Sequence, residues 1–134
     1  MTTVMVNGTF DLLHPGHVAL LNTARSYGDY LVVAIDTDRR VKELKGDNRP
    51  INNQNDRRIM LSSLKAVDIV DFFDSTEELV KLMERYKPDV YVKGSDWKHD
   101  TKSTAHKYAK EVIYYDRLDE YSTTNIIQDI ISRG

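Results

Sequence analysis

Apolar positions along the chain alternate between short unbroken runs and longer stretches with helical spacing. Val4 to Val6 form the first short run, stopped by Asn7-Gly8. From Pro15, the positions Val18, Leu20, Leu21 and Ala24 mark one side of a helix that Gly28 ends. Tyr30 to Ile35, "YLVVAI", is continuous and rich in β-branched residues, the pattern of a strand buried on both faces. Residues 37–56 are polar and irregular, and Asp56 reads as the N-cap of a helix running through Ala66. Ile69 to Phe73 is a further strand, and Thr76 to Tyr86 carries Leu79, Val80, Leu82, Met83 and Tyr86 at helical spacing. Asp89 to Val92 is a strand leading into "KGSDW", and Glu111 to Tyr115 is the last strand. Ser122 caps a terminal helix whose apolar side is Ile126, Ile127, Ile130 and Ile131.

Strands separated by helical segments predict right-handed βαβ units. The expected class is α/β, a Rossmann-like open parallel sheet of about five strands with helices on both faces. Residues 1–134 show no repeat, low-complexity tract or linker, so they read as a single domain. Ligands of such sheets bind beyond the carboxyl ends of the strands, where the strand order reverses. "NGTFDLLHPGH", the loop from Asp36, "KGSDW" and "RLDEYSTT" each follow a predicted strand, so they are expected at one edge.

Charge and composition narrow the function. Nineteen Lys and Arg against 21 Asp and Glu leave a formal charge of −2, which argues against a general nucleic-acid or membrane-surface binder. The chain has no cysteine, which excludes disulfides, thiolate metal sites and cysteine nucleophiles. It has no apolar run of ~20 residues, and "MTTVMVNGTF" has no basic region followed by a signal-like apolar one. The cytoplasm is the expected location.

The segment "GTFDLLHPGH" places His14 and His17 three apart around Pro15-Gly16, where a helix begins. It is neither G-x-G-x-x-G nor G-x-x-x-x-G-K-[ST]. A zinc site would want a third ligand, but His99 and His106 lie in the polar stretch "KHDTKSTAHK" and read as surface residues. No metal site is expected. Pro15 suits the first helical position, and Gly16 lets a ligand approach the backbone. His14 and His17 would then flank a helix N-terminus, a natural phosphate site. The same residues also fit a reading in which His14 ends a loop and His17 packs on the sheet.

"GTFDLLHPGH", with the distal "STTNII", resembles the cytidylyltransferase-like nucleotidyltransferases, whose marks are HxGH and a late S/T-rich motif. The resemblance runs from the first strand to the last helix. "VAIDTDRRVKELKGDNRPINNQNDR" and "VKGSDW" are similar to heptose 1-phosphate adenylyltransferases. "DYLVVAI", Trp97 and Arg117 look like glycerol-3-phosphate cytidylyltransferases. Ser95, and the missing glycine before Ser122-Thr123-Thr124, depart from both branches.

The reaction this implies is attack by a phosphate oxygen on the α-phosphorus of ATP or CTP, with release of pyrophosphate. The acceptor would be a phosphorylated sugar or polyol. The resemblance gives His14 and His17 to the triphosphate and the transition state, with Gly8, Thr9 and Phe10 presenting backbone to the α-phosphate. Asp11, placed with the acceptor residues, orients a loop or a histidine, since a carboxylate repels phosphate. Residues 39–58 hold seven Lys and Arg against three Asp and Glu. By composition they read as a solvated basic loop, but their place after the second strand and the family's lysine in "LKG" make Lys45 the candidate to bridge both reactants, supported by Lys42, with Arg57 holding phosphate and Arg49 or Arg58 merely exposed. Gly94, Asp96 and Trp97 are assigned to the base, and Arg117, Ser122, Thr123 and Thr124 to the β- and γ-phosphates. Mg²⁺ carried with the nucleotide, and a homodimer, are implied too. The rivals are a non-catalytic nucleotide-binding module on the same fold and, more distantly, a dehydrogenase using Asp36 on a ribose.

Overall fold

A computed structural model describes residues 1–94, 105–115 and 122–134. Along them run β1 (Thr3–Gly8), α1 (Pro15–Ser26), β2 (Tyr30–Asp36), α2 (Asp38–Lys45), α3 (Gln54–Ser62), β3 (Ile69–Phe73), α4 (Thr76–Tyr86), β4 (Val90–Gly94), α5 (Ala105–Tyr108), β5 (Glu111–Tyr115) and α6 (Thr123–Arg133). The strands among the described residues form one parallel sheet in the order β3-β2-β1-β4-β5. The expected α/β class and strand number are therefore observed. β1 is central, with Val4 opposite Leu31 on one side and Val90 on the other. The chain builds outward through β2 and β3, then crosses back to β4, so the order reverses between β1 and β4.

Alternation along the strands explains the unbroken apolar runs. Val4, Val6, Leu31, Val33 and Ile35 point to one face and pack with Leu21 and Ala24 of α1 and Leu61 of α3. Met5, Val32, Ala34 and Tyr91 point to the other face and pack with Leu82 and Met83 of α4. Helices on both faces bury the central β2 from Leu31 to Asp36, so "YLVVAI" needs no polar positions.

The stretch 37–56 is more ordered than its polarity suggests. The Thr37 side chain accepts from the Arg40 N–H and caps α2, with Asp38 in the first turn and Lys42 and Lys45 in the last. Gly46, at φ 100°, ends the helix in a conformation that L side chains rarely adopt. Asn53, rather than Asp56, caps α3 by accepting from the Asp56 N–H, and α3 stops at Ser62, short of Ala66. Ser122 caps α6 as expected. The apolar side of α6 is open at its C-terminal end, however, with Ile130 and Ile131 exposed while Ile126 and Ile127 are half-buried. No helix among the described residues is long and apolar enough to cross a membrane.

Candidate active site

A cleft of about 730 Å³ opens at the carboxyl edge of the sheet, over the reversal between β1 and β4. Gly8 ends β1 against the ring of Phe10. A Cβ added to Gly8 would lie 2.9 Å from Phe10 Cε2, so the close turn requires glycine. Phe10 itself is buried at φ 50°, a left-handed conformation that costs a non-glycine residue about 1–2 kcal/mol. Its burial holds it there, and its ring lies 5.0 Å from that of His17.

His14 is the N-cap of α1, and Pro15 occupies its first turn. His14 Nδ1 accepts from the His17 backbone N–H at 3.4 Å. A neutral ring accepting at Nδ1 carries its proton on Nε2, the kind of donor that a phosphoryl oxygen accepts. The two imidazoles stack with centroids 3.7 Å apart and planes 22° apart. Across the cleft, the Thr123 hydroxyl accepts from Leu12 N at 3.4 Å and donates to Leu12 O at 3.3 Å. This side chain fastens the start of α6 to the histidine loop. Two helix N-termini, each carrying about half a positive charge, thus converge on one space. Ser122, Thr123 and Thr124 line it together with Gly8, Thr9, Phe10, His14 and His17.

Basic side chains reach the same space from the second and fourth strands. Arg40 and Lys45 of α2, Arg49 and Lys93 line the cleft. Asp11 is buried, and its carboxylate accepts from Ile51 N at 2.8 Å, Asn52 N at 2.8 Å and Arg49 Nε at 3.0 Å. It orders residues 49–52 and aims Arg49. Its place among acceptor-contacting residues is corrected accordingly, since the carboxylate works through the loop. Arg49 is corrected in the other direction. Its side chain is only 13% exposed and lines the cleft, and the "RPIN" stretch was the signal for it.

Two basic residues assigned to the acceptor do not reach it. Arg57 is 1% exposed, and its donors serve four oxygens: Asn52 O, Thr9 O, Asp36 O and Asp38 Oδ1, at 2.8–3.0 Å. A guanidinium so enclosed is a structural tie, not a phosphate ligand. Lys42 is exposed and outside the cleft. At about 100° per residue it points roughly 200° away from Arg40 around the axis of α2. Arg58 is exposed as expected and lies over the Phe72 ring. Gly94 ends β4 one residue beyond Lys93, which lines the cleft, whereas Asp96, Trp97, His99 and Arg117 lie outside the described residues.

Asp36, at the end of β2, lines the cleft and is 7% exposed. Burial raises its carboxyl above the ordinary carboxylate value, opposed by Arg40, Lys45, Arg57 and the Thr9 hydroxyl. Among the described residues, no group of three His, Cys, Asp or Glu could hold a metal ion.

At its reversal point the parallel sheet carries a stacked histidine pair, two converging helix N-termini and several cations, an arrangement suited to a phosphate-bearing ligand. The chain belongs to the cytidylyltransferase-like family, whose model matches residues 5–129. It is 48% identical over 129 residues to the bifunctional protein HldE of Campylobacter fetus, covering 96% of this chain and 28% of that protein. To the bifunctional protein HldE of Helicobacter hepaticus it is 46% identical, covering 95% of this chain and 26% of that protein. The chain therefore spans about a quarter of the length of these curated relatives. Among solved structures, a lipopolysaccharide core biosynthesis protein from Thermoplasma volcanium superimposes with a TM-score of 0.74 at 28% identity, over 89% of this chain and 99% of that one. A pantothenate synthetase from Thermus thermophilus shares the fold, with a TM-score of 0.62 at 16% identity over 99% of this chain and 67% of that one.

Proposed function

We propose that this chain transfers the adenylyl group of ATP to a heptose 1-phosphate. An acceptor phosphate oxygen forms a bond to the α-phosphorus. The bond from that phosphorus to the β-bridging oxygen breaks, and pyrophosphate leaves with the electron pair. The acceptor arrives ionised, so the protein need supply only alignment and charge stabilisation. His14 and His17 face the α-phosphate and donate to its oxygens as charge shifts toward the leaving group. The N-terminus of α6, with Ser122 to Thr124, receives the β- and γ-phosphates, and Lys45 bridges the two reactants with Arg49 beside it. Asp96, Trp97 and Arg117 keep the nucleotide roles that the resemblance implies. The observation that carries the reading is the pairing of the stacked histidines with a second helix N-terminus, fastened together by Thr123 and Leu12.

The acceptor assignment is supported by "KELKG" and "RPIN" and by the similarity to HldE proteins over nearly the whole chain. Mg²⁺ carried with the nucleotide, held mostly by the triphosphate and water, belongs to the same reading. Mg²⁺ would offset phosphate charge there. The same proposal includes a homodimer and a cytoplasmic location.

Pyrophosphate release, measured for ATP, CTP, GTP and UTP against heptose 1-phosphate and glycerol 3-phosphate, tests this directly. ATP with the heptose is the expected productive pair. Robust turnover of CTP with glycerol 3-phosphate and none with the heptose would replace it by the cytidylyltransferase reading. Silence in every combination would favour a non-catalytic nucleotide-binding module.

Lys45 gives a second check. Lys45→Ala should raise the acceptor KM and lower kcat together, with an unchanged melting temperature. Lys110, 84% exposed and paired with Asp89 at 3.1 Å, is the control, and Lys110→Ala should stay near wild type. Equal effects in the two variants would reduce the basic segment to a solvated surface.

A further inference from the structure

The cleft straddles the sheet, and the histidine motif accounts for only one of its arms. Side-chain alternation decides which residues line the other. Met5, Val32, Ala34 and Tyr91 face α4, so Asn7, Asp36 and Lys93, two positions further along their strands, project to the same side beyond the core. Leu79 and Met83 of α4 complete the wall. This arm is an apolar floor with a few polar atoms at its mouth.

Asp36 is the unexplained group in it. The residue is more than nine-tenths buried yet lines the cleft. Among the described residues it receives one side-chain hydrogen bond, from Thr9 Oγ1 at the long distance of 3.5 Å. An ionised carboxylate accepts about four hydrogen bonds, and leaving such capacity unused in a buried place is costly. Asn7 pairs with Ala34 across β1 and β2, one diagonal step from Asp36 on the same face. Its Oδ1 accepts from the Tyr91 hydroxyl, which fixes the amide and leaves Nδ2 as a donor. A carboxylate acceptor and an amide donor that line one face of the cleft a diagonal step apart match neighbouring hydroxyls of a polyol, each of which both donates and accepts. It does not match phosphate, which a carboxylate repels.

We infer that Asp36 and Asn7 form the acceptor's hydroxyl-recognition subsite, holding vicinal hydroxyls of the sugar while its phosphate lies toward Lys45 and Arg49. This rests on the proposed transfer to a phosphorylated sugar and names the residues that select the sugar's body.

The test is steady-state kinetics of wild type, Asp36→Ala and Asp36→Asn with ATP, heptose 1-phosphate and mono-deoxy analogues of that sugar. Asp36→Ala should raise the heptose 1-phosphate KM about 10- to 100-fold, the range for a hydrogen bond to a charged group, while the ATP KM stays within about twofold. One mono-deoxy analogue should lose a similar factor with wild type and none with Asp36→Ala. Asp36→Asn keeps the shape and should lie between the two, which serves if the alanine variant folds poorly. An unchanged acceptor KM overturns the inference. So does a parallel rise in the ATP KM, which would place Asp36 on the nucleotide, or a fall in the acceptor KM, which would make it only a repulsive charge. In these cases wild type still turns over and the transfer reading stands. Absence of pyrophosphate release by wild type with heptose 1-phosphate overturns the transfer reading and this inference with it.

Discussion

His17→Ala is expected to lower turnover by about 100-fold or more, with a much smaller loss of nucleotide affinity. His17 is the cleaner of the two histidines to remove. The His14 ring also caps α1 by accepting from the His17 backbone N–H, so His14→Ala would mix chemistry with a cap loss of about 1 kcal/mol. In His17→Ala the backbone donor of that cap remains. What disappears is the ring stacked 3.7 Å from His14 and 5.0 Å from Phe10. A donor aimed at charge that develops only in the transition state affects kcat more than binding. The measurement is single-turnover pyrophosphate release beside equilibrium ATP binding. Near-wild-type turnover would remove the motif from the chemistry. Equal losses in turnover and affinity would make His17 a ground-state ligand.

The strands and α1 were legible because burial on two faces writes unbroken apolar runs, and because Pro15 and Gly28 punctuate the helix. α2 was not, since "DRRVKELK" buries only Val41 and its helical signals are the cap and end charges rather than periodicity. α6 shows the opposite mismatch. Ile126, Ile127, Ile130 and Ile131 have the spacing of a buried face, yet Ile130 and Ile131 are 62% and 71% exposed. Periodicity reports an amphipathic helix, not what covers it.

At the site, the sequence located the histidine loop and the S/T segment because each follows a strand or starts a helix. Composition could not rank the cations. Among seven basic residues between 39 and 58, one pairs with Asp11 beside the cleft, one is enclosed and one is turned away. Those outcomes depend on contacts between segments distant in sequence. Asp11 was partly legible, since repulsion from phosphate already pointed to a positioning role. Asp36 was noticed only as a mimic of a ribose-binding acid, because the alternation that puts it on the same face as Asn7 appears only with the sheet order.

Arg57→Ala should lower stability by about 3–5 kcal/mol, the range for removing one partner of a buried charged network. Its fork joins the end of β1 through Thr9 O, the end of β2 through Asp36 O, the 49–52 loop through Asn52 O, and α2 through Asp38 Oδ1. Removing it strands three carbonyls in a dry place and leaves Asp38 without its cation. For a domain of this length the melting temperature should fall by roughly 10–20 °C. Since whole domains hold only about 5–15 kcal/mol, the variant should be folded only well below that lowered midpoint. Arg57→Lys should recover little, because an ammonium cannot reach four oxygens spread around a planar fork. Calorimetric melting of both variants decides between the two roles for this residue. A phosphate-binding arginine would leave the melting temperature in place and raise the acceptor KM alone. A structural tie lowers the melting temperature first and, in the protein that remains folded, disturbs both substrates, because Thr9 lines the cleft and Asn52 helps hold Asp11, which aims Arg49 there.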